Sequence, residues 1–358
     1  MNHRLQSLVN GTVLAIAFGW LLYIGRDILV PVVFSVLVVY VILGLARLLA
    51  RIPVTGRMGP GRTEPGKLHY AASILLIVLA LFAGTSLLMS QLVRVAELAP
   101  QYMASLLATI QRGAVALGVE SEPTWNSLRG SFQQYISLAS IAGSTMTVVM
   151  SLLGSLIVVS LYVAFLLMEQ KVMPAKLAAI GRETGGGEQL QKILTRINTR
   201  IGTYLAMKTL ISLLTAFVSY LIMWFFGLEF AALWAVLIFF LNFIPYVGSW
   251  LSVLVPSLFA LLQFGGDLGM VLAVVGSLSV AQFFLGNFLD PYLMANSLNL
   301  SGLAILISLA AWSALWGIPG AFLAVPITAC ITMVLAEFKG TRPFAILMSR
   351  HGSLEDEA

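Results

Sequence analysis

The stretch Leu241-Asn-Phe-Ile-Pro-Tyr-Val-Gly-Ser-Trp250 decides how this chain is built. It lies in an apolar segment from about residue 231 to 263. That is roughly 33 residues, where a straight crossing helix needs about 20. Pro245 removes a backbone N–H and clashes with the preceding turn, at a cost of about 3 kcal/mol in a helix interior. Gly248, three residues on, accepts any backbone angle. In lipid such a break leaves peptide groups unpaired unless protein or a water-filled cavity supplies partners. An overlong apolar segment with a polar, proline- and glycine-broken centre therefore predicts a re-entrant hairpin or a broken helix. Transporters use this device to build a site at mid-membrane.

The same pattern recurs once. From about residue 301 to 337 a second apolar run of roughly 36 residues is broken by Trp316-Gly-Ile-Pro-Gly320. Ile244-Pro245, Gly248, Leu251, Val253 and Pro256 align with Ile318-Pro319, Gly320, Leu323, Val325 and Pro326, with two short gaps. Broken segments in matching places of two halves point to a transport site. The predicted hairpin tips are Pro245 and Gly248 in the first segment, and Gly317, Pro319 and Gly320 in the second. The competing reading is two long tilted helices kinked at proline.

The rest of the chain is membrane-like throughout. Of its 358 residues, 59% are hydrophobic and only 10% charged. The mean hydropathy is +0.96. A soluble domain carries about 25% charged residues, so this composition excludes one. The first apolar run, about residues 8–24, lacks a small-residue cleavage site, and no cleavable signal peptide is expected. The single cysteine, Cys330, allows no intrachain disulfide and no cysteine metal cluster. His3, His69 and His351 lie at or beyond the edges of apolar segments, which argues against a histidine metal site or proton relay in the membrane. No cofactor and no metal are expected.

Six full spans are predicted, at about 8–25, 28–49, 69–92, 144–168, 203–227 and 268–289, with broken segments at 231–263 and 301–336. Pro31 suits a first-turn position in the second span. The expected fold is an all-α polytopic membrane protein: six full transmembrane helices plus two broken or re-entrant hairpins in an inverted repeat, with amphipathic surface helices. The expected organisation is 1–92, N-terminal scaffold spans; 93–143, extracytoplasmic amphipathic helices with a turn at Gly118–Pro123; 144–202, the fourth span and cytoplasmic basic helices with a joint at Gly185-Gly-Gly187; 203–338, the transport region; and 339–358, a cytoplasmic tail.

Sixteen of the twenty lysines and arginines fall on one side of this arrangement. Only Arg26, Arg94, Arg112 and Arg129 fall on the other. The positive-inside rule then puts both termini in the cytoplasm. It does not decide between hairpins and crossings, because either choice leaves the C-terminus inside. If both segments return, two units of opposite direction result, which uses both anomalies at once. The net charge of +5 is explained by this asymmetry and is no nucleic-acid footprint.

Four residues are candidates for a substrate path: Asn242, Tyr246, Asn287 and Asp290. Asn242 and Tyr246 flank the first break. The alternative for Asn242 is that it pairs with carbonyls freed by Pro245. Asp290, in Gly286-Asn-Phe-Leu-Asp-Pro291, is the one acid near the membrane core. A carboxylate there costs about 2.5–3.5 kcal/mol on insertion scales, so it defaults to a functional hypothesis. The alternative is an interfacial cap with Pro291 in the first turn. Asn296 and Asn299 continue a polar linker. Gly61-Arg-Thr-Glu-Pro-Gly-Lys67 imitates a phosphate-binding loop, but Leu68 stands where Ser or Thr should bind magnesium and no strand precedes it. Pumping would then draw on an ion gradient or the substrate's own gradient. The basic helix 188–200 could dock on anionic lipid heads, although positive-inside topology is the preferred explanation.

Asn242-Phe-Ile-Pro-Tyr-Val-Gly-Ser249, Gly286-Asn-Phe-Leu-Asp-Pro291, Leu300-Ser, Ser308-Leu, Trp312 and Gly317–Thr328 together resemble the bacterial autoinducer-2 exporter family. Pro100-Gln-Tyr102 and Tyr204-Leu-Ala-Met-Lys208 extend the likeness over nearly the whole chain. The resemblance implies a secondary transporter in the bacterial inner membrane, built as a homopentamer, each subunit with a scaffold part and a transport part and an elevator-like movement. It implies export of a small polar molecule, the furanose-type quorum-sensing signal autoinducer-2 being one candidate. Sodium/proton antiport is the alternative, with a cation or proton as coupling partner. An intramembrane enzyme is disfavoured: there are no paired acids, no His–Glu zinc helix and no Gly-x-Ser-x-Gly in a lipid span. A structural scaffold protein acting through 93–143 is the rival of another class. Flux measured after deleting that region would separate the two.

Overall fold

A computed structural model describes residues 3–50, 66–116, 138–170, 172–184, 187–265, 267–294 and 298–353. The expected turn at 118–123, residues 61–65 of the phosphate-loop imitation, Gly185, Gly186 and Asn296 lie outside the described residues. Among the described residues the fold is all-α. The helices are α1 (His3–Ile24), α2 (Arg26–Ala50), α3 (Lys67–Ala116), α4 (Leu138–Glu169), α5 (Met173–Thr184), α6 (Gly187–Phe225), α7 (Ala231–Leu241), α8 (Val247–Gln263), α9 (Leu268–Phe284), α10 (Asp290–Met294), α11 (Gly302–Glu337) and α12 (Arg342–Met348). The chain is a polytopic membrane protein: five helices among the described residues are long and apolar enough to cross, or up to six if the bent α4–α5 pair is one span.

Several boundaries differ from the sequence expectation, each for a physical reason. The third span does not stop near residue 92. α3 runs on for 50 residues, so residues 93–116 are its continuation and not a separate helix. α2 begins at Arg26, with Asp27 in its first turn, so Pro31 lies inside the helix and not in its first turn. α6 fuses the expected basic helix and the fifth span into one element of 39 residues. α11 has the length of a span, but Gly317 interrupts it.

The described chain forms two compact units. Unit 1 comprises Met1–Ser73, Ser155–Met207 and Met294–Ala358, and unit 2 comprises Ile74–Gly154 and Lys208–Leu293. Residues 203–338 therefore divide between the units, with the first broken segment in unit 2 and the second in unit 1. The core of unit 2 gathers Met223, Phe230, Ile238, Phe259, Val274 and Leu278. That of unit 1 gathers Leu37, Ile201, Leu205, Trp316, Leu323 and Val325, with Phe34 stacked on Phe322 at 5.4 Å between ring centroids.

Candidate functional site

The first broken segment returns to where it began. α7 has 11 residues, or about 16 Å at 1.5 Å per residue, too short to cross alone. At its base, Gln263 Nε2 donates to the Gly227 carbonyl (2.8 Å) while Gln263 Oε1 accepts from the Glu229 N–H (2.7 Å). One side chain thus ties the end of the hairpin to its start. α3 fastens the same base. Tyr102 Oη donates to Glu229 Oε2 (2.6 Å) and Ser105 Oγ to the Leu262 carbonyl (2.9 Å). The Tyr102 ring packs edge-on against Phe259 at 4.9 Å. Burial, then the hydrogen bond to Glu229 and its charge, push the Tyr102 hydroxyl well above the ordinary tyrosine range.

The tip is built by three residues. Pro245 starts a tight turn in which the Val247 N–H donates to the Pro245 carbonyl (2.6 Å). Tyr246, between them, has φ +60° and ψ −57°, the rare γ-turn geometry that strains a residue with a Cβ. Gly248 then crosses the first arm. A Cβ there would lie 1.8 Å from the Leu241 carbonyl oxygen, so only glycine lets the arms approach this closely.

The second broken segment solves the same problem in unit 1. Gly317 adopts φ +64° and ψ −139°, a region nearly confined to glycine. A Cβ on Gly320 would lie 1.9 Å from the Trp312 carbonyl oxygen. Trp312 Nε1 donates to Thr328 Oγ1 at 3.1 Å. Sixteen residues along one straight helix would separate these groups by about 24 Å, so α11 folds back on itself. Pro319 sits at the start of the returning arm, where its missing N–H costs little.

What distinguishes unit 2 is a buried polar face on α6. Lys208, Ser212, Thr215 and Ser219 recur at steps of four, three and four. All four are buried, Lys208 with 6% exposure. Lys208 Nζ donates to Asp290 Oδ2 at 2.9 Å. One turn on, Ser212 Oγ accepts from Asn242 Nδ2 at 3.1 Å. Two of the four expected path residues, Asn242 and Asp290, are thus held by neighbouring turns of one helix face. The Asn242 side chain reaches across to α6 and does not pair with a freed carbonyl.

Asp290 does not have the extended backbone of a helix N-cap. Its backbone is helical (φ −59°, ψ −53°), and its N–H donates to the Leu285 carbonyl, five residues back. This one-turn π-helix, Leu285–Leu289, widens the helix just before Pro291, whose ring would otherwise press on the carbonyl four residues earlier. Such turns are frequent at functional sites. Gly286 faces α8: a Cβ on it would stand 3.9 Å from Ser249 Oγ and 3.5 Å from Gln282 Nε2. The other two expected residues are not drawn into the same contacts. Asn287 donates within its own helix, to the Phe283 carbonyl at 3.2 Å. Tyr246 is half-exposed at the tip.

Unit 2 also holds buried polar atoms without a partner. Asp290 Oδ1 is buried without a hydrogen-bond partner, as are Thr209 Oγ1, Ser257 Oγ, Gln282 Nε2 and Trp234 Nε1. All five belong to unit 2. Buried polar groups are nearly always paired, and leaving one unpaired costs about 1–3 kcal/mol. By sequence, Lys208 counts with the cytoplasmic-side cations at the start of the 203–227 span and has no part in the site. Its spacing with Ser212, Thr215 and Ser219 was the signal that would have found it.

A multi-helix apolar chain with two hairpins that each fold back on themselves, one of them reaching through Asn242 to a helix face that also carries a buried ion pair, is a membrane transporter in build. The family model for the AI-2E family transporter matches residues 12–340. This chain belongs to that family. It is 26% identical over 355 residues to the AI-2 transport protein TqsA of Escherichia coli (strain K12), covering 95% of this chain and 96% of TqsA. It is 33% identical over 195 residues to a Borreliella burgdorferi transport-family protein, covering 54% of each chain. It is also 33% identical over 205 residues to YhhT of Escherichia coli (strain K12), covering 57% of each. The last two matches span little more than half of those relatives.

Proposed function

We propose that this transporter is a secondary exporter of a small polar molecule, and that unit 2 carries the substrate. The observation that carries this reading is the Lys208–Asp290 pair, with one carboxylate oxygen left over, beside Ser212 and Asn242. An intramembrane acid is costly and marks a substrate or ion path by default. The pair is neutral overall and is flanked by a hydroxyl and an amide. That set of donors and acceptors suits a hydroxyl-bearing small molecule. Similarity to TqsA along the whole chain makes autoinducer-2 the first substrate to test, and with it a part in quorum sensing. Asn242, Asp290, Tyr246 and Asn287 are the proposed path residues. Pro245, Gly248, Gly317, Pro319 and Gly320 are the hinges that let each hairpin turn. The charge asymmetry favours both termini in the cytoplasm of a bacterial cell; the pair of broken segments favours an inverted repeat, and the family resemblance a homopentamer.

Efflux from inside-loaded vesicles tests this reading. Asp290→Ala and Asn242→Ala should each lower flux at least tenfold while the protein still assembles. Wild-type flux in both would remove them from the path. One observation favours a second reading, sodium/proton antiport: a buried lysine and carboxylate in direct contact can exchange a proton or admit a cation to the unpaired Oδ1. Collapse of an imposed pH gradient on adding sodium, lost in Asp290→Ala, would select it.

A further inference from the structure

Two of the unpartnered buried atoms of unit 2 lie along one stretch of helix. They are Gln282 Nε2 and Asp290 Oδ1. Gly286 stands midway, four residues from each, a spacing that keeps side chains on one helix face. The Gln282 amide reaches along the helix toward it: a Cβ on Gly286 would stand 3.5 Å from Nε2. About one turn, roughly 6 Å of rise, then separates Gly286 from Asp290. Across the gap, in the first turn of α8, Ser249 Oγ stands 3.9 Å from the same Cβ position. The backbone of its own helix and its chain neighbours aside, no other atom of the described residues comes within 4 Å of that position. Gln282 and Gly286 are half-buried. The missing side chain therefore leaves room between a donor and an acceptor that the protein does not itself satisfy.

We propose that Gln282 and Gly286 form a second half of the substrate site and set its specificity, for a compact neutral molecule with at least two hydroxyls. This rests on the export reading of Asp290. One hydroxyl donates to Asp290 Oδ1 and another accepts from Gln282 Nε2, since a hydroxyl can play either part. The ring or short chain between them lies over Gly286. The two ends together select this class. A cation suits the carboxylate but meets an N–H donor at the other end. An anion suits the amide but meets the carboxylate. A ligand lacking one hydroxyl leaves a buried group unpaired and is rejected for that reason.

The test is titration calorimetry on the full chain purified in detergent, with autoinducer-2 and D-ribose as separate probes. Gln282→Leu removes the amide at similar volume. Gly286→Ala fills the space with a methyl that meets only ordinary contacts. Each should weaken binding at least tenfold. The thermal midpoint should hold or rise in both, because the first removes an unpaired buried amide and the second a helical glycine. Wild-type affinity in both variants would overturn the inference, and so would a midpoint that falls in step with binding. Binding of neither probe by the wild type would overturn the ligand class. Vesicle efflux by Asp290→Ala separates this from the reading beneath it. Lost flux there with wild-type affinity in Gln282→Leu and Gly286→Ala leaves the export reading standing and removes the second half-site. Wild-type flux there with binding still lost in those two variants removes the export reading and keeps the hydroxyl site.

Discussion

Gly248→Ala is the sharpest perturbation of the first hairpin. The added Cβ would lie 1.8 Å from the Leu241 carbonyl oxygen and 2.6 Å from its carbon, where ordinary contact begins at 3.4 Å. The arms must therefore part by about 1.6 Å, the difference between those two distances. Overpacking costs about 1–3 kcal/mol when side chains can give way. Here the obstacle is backbone, so the upper end, about 3 kcal/mol, is expected. At roughly 2–4 °C per kcal/mol for a large domain, the thermal midpoint should fall by roughly 6–12 °C. Gly276→Ala in α9 is the control, because nothing lies within 4 Å of its added Cβ. It should be neutral or stabilise by up to about 1 kcal/mol. Both variants are measured by scanning fluorimetry in detergent and by vesicle efflux, and only Gly248→Ala should lose flux. Matching midpoints and wild-type efflux in the two would refute the close crossing of the arms.

Three further outcomes follow from the same geometry. Asp290→Asn leaves Lys208 buried without its counter-charge and should destabilise by about 3–5 kcal/mol; the double variant Lys208→Met, Asp290→Leu should recover most of that stability in denaturant titrations and none of the flux. Gly317→Ala should cost about 1–3 kcal/mol from backbone strain alone, since its Cβ meets nothing, whereas Tyr246→Gly should relieve strain and raise the midpoint. Because the Tyr102 hydroxyl is held protonated more firmly in the folded chain than in the unfolded one, its contribution is complete below the ordinary tyrosine value of about 10 and fades as pH climbs beyond it; Tyr102→Phe should flatten that alkaline decline in pH-dependent melting.

The hairpins were legible because two independent sequence features coincided. Each segment was too long for one crossing, and each carried proline and glycine at its middle. The physical requirement that freed peptide groups find partners then left little choice. Other features were hidden by rules that work on averages. Charge counting treats Lys208 only as one cation at the cytoplasmic start of the fifth span, whereas its partner Asp290 is 82 residues away in sequence and visible only after folding. The 93–116 stretch reads as a surface helix by composition. Amphipathic spacing says which side of a helix is polar and nothing about whether the helix is continuous with the one before it. The π-turn ahead of Pro291 has no sequence signal beyond the proline itself.

Comparison of the two hairpins separates architecture from chemistry. Both turn on a positive-φ residue, and both cross through a glycine whose Cβ would strike a carbonyl seven or eight residues back. Those features therefore belong to the act of turning back in the membrane. The surroundings differ. Around the unit 1 tip the polar contacts are saturated, with the Trp312 and Trp316 indoles donating to Thr328 and to the Leu22 carbonyl. Around the unit 2 tip, Asn242 leans on a helix face that carries a buried lysine, and the carboxylate it meets keeps one oxygen unspent. Had re-entry alone required buried charge, both tips would show it. Because only one does among the described residues, the ion pair is an addition to the turn and not a consequence of it, and function is its remaining justification. A chain in which Lys208→Met, Asp290→Leu exports at the wild-type rate would break that inference at its root.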